Sequence, residues 1–185
     1  MKNLLWVVLG VVAILAVWVF SSYNGLVSSN EAVASQWAQV ETQYQRRFDL
    51  IPNLVASVKG IMTQEQEIFT AIADARTKYS GATTPDQKAA AATQVESALG
   101  RLLVITENYP ELKSSTNVQD LMTQLEGTEN RISVERKRYN DMVQAYNLKT
   151  KQFPSSIAAM VFGFASHTYF EAAEGTEAPP AVDLQ

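Results

Sequence analysis

Arg47, Glu65, Glu129 and Arg136 are the residues whose type and position could do chemistry, because each falls on a helical stripe that is otherwise largely apolar. A buried charge without a partner costs several kcal/mol, so residues in such places are predicted to pair. Glu129 and Arg136 stand two turns apart, about 10 Å along one helix, too far to bond each other directly. Each therefore needs a partner from another helix. One reading is a structural polar network of Arg47, Glu129 and Arg136 that fixes helix register. The other is a binding or catalytic site inside a bundle. Glu126-x-x-Glu129 offers two carboxylates, as metal-binding bundles do, but those bundles add Glu-x-x-His motifs, and this sequence has none. The single histidine, His167, lies in or after the last apolar segment and reads as a solvated surface residue. With no cysteine, no histidine cluster and no glycine-rich phosphate loop, the expectation is no catalytic site, no metal and no cofactor. Net charge −4 and the lack of a basic face argue against nucleic acid as a partner.

The elements that must position these residues are helices. No strand-like alternation of any length occurs, so the fold class is all-α: an N-terminal transmembrane helix followed by an up-and-down four-helix bundle with a long first helix. Stepping 4-3 from Leu26 meets large apolar or aromatic residues to Tyr79, interrupted only by Asn30, Arg47, Glu65 and Ala75. The register survives Pro52 and Gly60, which predicts one helix, kinked at Pro52, of about 80 Å. The rival arrangement breaks it at Pro52. Thr84-Pro85-Asp86-Gln87 is a helix start, with Thr as N-cap, Pro at the first position and Gln closing a capping box. That helix runs to about Asn108. A third begins at Thr116 or Asn117 and keeps an apolar stripe from Val118 to Phe153, where Pro154 stops it. The short apolar stretch Ile157 to Ala165 is read as a cap on the bundle in preference to a segment lying on a membrane. Residues 171 to 185 are acidic and rich in Ala and Pro, and are predicted to be disordered.

No charged side chain stands between Lys2 and Glu31, and Leu4 to Phe20 is an unbroken apolar run with Gly10 inside it. With Ser21 to Tyr23 it spans roughly the 30 Å of a bilayer core. Trp6 lies near one end, and Trp18 and Tyr23 near the other, where interfacial aromatics collect. Bulky residues at Val17-Trp18-Val19 speak against a cleavage site, so residues 1 to 23 are read as a retained anchor. Lys2 and the amino group against Glu31 favour N-in, with the bundle of residues 24 to 170 outside the cytoplasm. If the first helix is continuous, its second half, Leu54 to Tyr79, pairs with the returning helix. Val33, Trp37, Val40 and Tyr44 then form a seam that no helix of the same chain covers. Such a stripe predicts self-association. If instead the helix folds back at Pro52, Trp37 is core.

Arg46-Arg47-Phe48-Asp49-Leu50-Ile51-Pro52-Asn53-Leu54-Val55 closely resembles the signature of the LemA family. So do Tyr109-Pro110-Glu111-Leu112, Thr128-Glu129-Asn130-Arg131-Ile132, Tyr139-Asn140, Tyr146-Asn147, Phe153-Pro154, Gly163-Phe164 and Tyr169-Phe170-Glu171. The resemblance implies a bacterial membrane-anchored four-helix bundle with no assigned reaction. It also implies a neighbourhood of membrane metalloproteases or envelope proteins, and, for relatives in magnetosome-forming bacteria, of membrane remodelling. The functional expectation is a non-enzymatic scaffold or adaptor in the bacterial inner membrane that self-associates or binds membrane partners such as a protease or an envelope protein. The alternative is a sensory or ligand-binding bundle in which Arg47, Glu129 and Arg136 line a pocket between helices.

Overall fold

Breaks between the helices of this chain fall beside Gly60, Gly81, Pro110 and Pro154 and at Ser115. In a computed structural model the described residues are 2 to 170, apart from Thr63. The acidic tail expected over 171 to 185 lies outside them. Six helices follow in order: α1 Lys2–Lys59, α2 Gln66–Gly81, α3 Pro85–Thr106, α4 Pro110–Ser114, α5 Thr116–Lys151 and α6 Ser155–Phe162. No strand occurs among the described residues. The all-α class is therefore as read from the sequence.

The first helix differs from expectation. It continues through Pro52 but stops at Lys59, and the chain turns over residues 60 to 65. What was read as the second half of one helix is a separate helix, α2, which returns along α1. Tyr79, near its end, packs edge-on against Tyr44 at 5.9 Å and lies tilted against Phe48 at 4.4 Å. Glu65, expected on an inward stripe, is instead the residue before α2. Periodicity could not reveal the turn. Val58 and Ile68 are ten residues apart, a 3-4-3 step, so a turn of nearly one heptad leaves the phase unchanged.

The α3 start follows its local chemistry closely. The Thr84 hydroxyl accepts from the Gln87 N–H at 3.3 Å. The Gln87 side chain reaches one residue further back than a capping box requires and accepts from the Thr83 N–H at 3.1 Å. α6 ends on Gly163 at φ 74°, a left-handed cap that glycine adopts without Cβ strain, and the Phe164 N–H returns to the Ala159 carbonyl at 2.9 Å.

The chain divides into two compact units. The first comprises residues 1 to 40 and 134 to 169: the N-terminal part of α1, the C-terminal part of α5, α6 and the segment after it. In it α1 and α5 run antiparallel. Gln36 donates to Glu135 Oε2 at 2.6 Å, Trp37 meets Tyr139 edge-on at 5.7 Å, and Lys149 donates to Ser29 Oγ at 2.5 Å. Val33, Val40, Tyr139, Val143 and Tyr146 form the seam. The second unit holds Glu41 to Ser133, with the rest of α1, α2, α3, α4 and the start of α5. These pack up and down around Tyr44, Leu54, Val58, Met62, Ala92, Val95, Leu102, Leu112 and Ile132, all essentially inaccessible to solvent.

Before Ser21, α1 presents Leu4, Leu5, Trp6, Val7, Ile14, Val17 and Phe20 to the surroundings. None of its most apolar eighteen-residue stretch is buried within the chain, and it is long enough to cross a membrane.

Candidate functional site

Among the described residues, Arg47 is the largest fully buried side chain. Opposite it on α3 stands Ala92, a buried small residue that leaves room for a guanidinium. Arg47 Nη1 donates to Glu129 Oε2 at 2.5 Å, across from α5. Nη2 donates to the Ala92 carbonyl at 3.0 Å. The guanidinium also lies 5.5 Å from the centre of the Tyr44 ring, within cation–π range. Nε is buried and finds no acceptor. Three helices are thus tied through one cation. Its carboxylate partner is 38% exposed, so water screens one side of the pair only. A second ion pair, Lys88 with Glu41, joins α3 to α1 nearby. Burial, with Glu41 and Tyr44 close by, pushes the Tyr79 phenol well above the usual tyrosine range, so it stays neutral.

Beside this pair runs a cavity of about 390 Å³. Its floor is Arg47, Leu54 and Leu102, and its sides are Leu99, Leu125 and Met122. Glu96, Glu126, Glu129, Gly100 and Leu103 stand at the mouth. The volume lies within the range of small-molecule sites. The lining offers three carboxylates, Glu96, Glu126 and Glu129, and one arginine, with no serine, threonine, lysine or histidine. Among the described residues no group of three or more His, Cys, Asp or Glu could hold a metal ion.

Of the predicted network, Arg47 and Glu129 are partners; Arg136 is half-buried two turns further along α5 and belongs to the first unit. The predicted oligomer stripe is not a free seam. Val33, Val40 and Tyr44 are buried within the chain, and Trp37 is half-buried against Tyr139. The reason is the turn at residues 60 to 65. It returns α2 onto the second half of α1, and the long α5 covers the first half. The chain has helix enough to cover α1 from Leu26 onward.

Sequence reasoning missed a clamp in the first unit. The Asn147 side chain donates to the His167 carbonyl and accepts from the His167 N–H, both at 2.9 Å. The Tyr146 hydroxyl donates to the Ala165 carbonyl at 2.9 Å. His167 Nε2 lies 2.7 Å from Asn30 Oδ1 on α1, and its ring packs on Tyr146 at 4.8 Å. His167 is thus a fastener of the extended segment, not a free surface residue. The doublet Tyr146-Asn147 was the available signal: an amide after an aromatic on an inward stripe suits a backbone held alongside.

These positions coincide with the segments that resemble a known family. The LemA family model matches residues 36–184. The chain belongs to the LemA family. Among similar proteins, the magnetosome proteins MamQ 2 and MamQ 1 of Paramagnetospirillum magneticum (strain ATCC 700264 / AMB-1) are each 27% identical over 198 residues, covering 93% of this chain and 72% of theirs. Magnetosome protein MamQ of Magnetospirillum gryphiswaldense is 26% identical over 183 residues, covering 85% of this chain and 67% of its own. In this LemA-family chain, Arg47, Leu112, Ile132, Tyr139 and Asn147 of the family-like segments are all buried. Their shared task is to hold helices and the segment after α6 in place.

The His167 fastening carries a pH dependence. Burial lowers the imidazole pKa below its ordinary 6.5. The free segment therefore binds the proton more readily than the docked one. Docking is at full strength above 6.5 and weakens as pH falls through the window below that value. The protection factors of the amides of residues 164 to 169, with intrinsic exchange divided out, are expected to fall on acidification across this window. Asn147→Ala should make the same amides exchange fast on both sides of it.

Proposed function

We propose that this LemA-family protein is a non-catalytic, membrane-anchored scaffold or adaptor of the bacterial cell envelope. It is a single-pass protein of the inner membrane, N-in, with its helical units outside the cytoplasm. It self-associates or binds membrane partners, a membrane protease or an envelope protein among them, and serves membrane organisation. The observation that carries this reading is that α1 holds both the exposed apolar run and the core residues Leu26, Val33 and Val40 of the first unit in one unbroken helix. Whatever holds the run therefore holds the unit directly. The likeness to magnetosome proteins supports the membrane setting.

The cavity beside Arg47 supports a second reading, a ligand-binding bundle. One measurement separates the two. Native mass spectrometry of the protein released from detergent is expected to give a homo-oligomer, or the protein with a captured membrane protein. A monomer carrying a small non-covalent mass that Leu99→Trp removes would favour the ligand reading instead. Orientation is tested on the same chain, which has no cysteine of its own. Thr123→Cys should react with an impermeant maleimide on intact spheroplasts.

A further inference from the structure

From Gln152 to Phe170 the chain carries no formal charge, apart from what His167 can take up. Within this stretch α6 is apolar after its first two residues, Ser155 and Ser156. Ala158 and Ala159 bury against Leu26 of α1, and Phe162 and Phe164 pack edge-on against Tyr23, the former at 4.9 Å. The other face carries Ile157, Met160 and Val161, spaced i, i+3, i+4 and so side by side. That face is open: Met160 is 85% exposed and Val161 71%, with Phe153, just before the helix, at 82%. A helix of a water-soluble unit would put polar residues there.

The height of this face identifies its neighbour. Leu4 to Tyr23 spans roughly the 30 Å hydrocarbon core, so Tyr23 marks its edge. Leu26 lies about 5 Å further along the helix at 1.5 Å per residue. The polar interface of each leaflet is roughly 5–8 Å deep. α6, fastened to Tyr23 and Leu26, therefore sits inside that layer. Lys149 and Lys151 close α5 just before the uncharged stretch. They give this end of the unit the positive charge that anionic headgroups attract.

We propose that α6 and Phe153 form a second membrane contact, an apolar foot that lies in the interface of the bilayer spanned by α1, with Phe153, Ile157, Met160 and Val161 in lipid. The anchor then does not swivel freely under the unit, because two separate points fix it to the membrane. The bundle cap expected from the sequence is one face of α6, and the interfacial segment that was set aside is the other.

The test uses the full chain with Met160→Cys labelled with bimane, a substitution at an open position. It is reconstituted in phosphatidylethanolamine–phosphatidylglycerol vesicles containing lipid with a doxyl quencher high on the acyl chain. Label at Thr123→Cys is the control, since Thr123 is exposed on α5 in the second unit. More than half of the fluorescence at 160 should be lost to the quencher, and almost none at 123. Equal, weak quenching at both sites would overturn the proposal. So would spin labels at 160 that couple to each other in the same vesicles without contact to lipid, which would show that a second copy covers the face.

Discussion

Tyr44→Glu unfolds the second unit. Tyr44 is completely buried, its ring faces Tyr79, and the Arg47 guanidinium rests near it. Replacing it removes the aromatic packing and puts a carboxylate where there is no water. The loss of packing alone is roughly 3–5 kcal/mol, and the desolvated carboxylate adds to it. That approaches the whole stability of an ordinary domain. Urea titration followed by circular dichroism is expected to show a large part of the helical signal lost at or near zero denaturant. This outcome matters beyond stability. Had Tyr44 belonged to an uncovered oligomer seam, the same change would have separated subunits and kept their helicity. A folded Tyr44→Glu protein would mean that α2 does not return onto α1.

Glu129→Ala is the second large effect. It leaves the Arg47 cation buried with only the Ala92 carbonyl as acceptor. Breaking a buried pair from one side costs about 3–5 kcal/mol. Glu129 is partly exposed, so water can reach the cavity it vacates, and a cost below that range, roughly 2–3 kcal/mol, is expected. Arg47→Met removes the charge as well as the pair and fills similar volume, so it should cost distinctly less than Glu129→Ala. The diagnostic result is the order of the single variants. If Arg47→Met proved the more damaging, Arg47 would be needed as a charge and not as a filler of the seam. Denaturant midpoints at constant slope would provide the ranking.

The composition and the 3.6-residue pattern alone determined that this is a helical protein with an apolar run able to cross a membrane. These are properties of side-chain order along one helix, and they need no partner to be read. Local chemistry also determined the α3 start, because Thr84, Pro85 and Gln87 act on backbone groups within one turn. The inward place of Arg47 and Glu129 was legible too, since a charge on an apolar stripe can only be met from another helix. Which helix would meet it was not. Pairing of residues 82 positions apart depends on where the chain turns, and the turn at residues 60 to 65 is silent in the heptad count because it preserves the phase. That turn gave α1 a partner along its second half and made core of Tyr44, while the length of α5 made core of Val33 and Val40 and carried Arg136 into a different unit from Glu129. His167 shows the same limit at short range. A lone histidine reads as solvated until the fold lays its backbone beside Asn147 and its ring beside Tyr146. Sequence period records which side of a helix avoids water, whereas only the folded chain shows what takes the water's place.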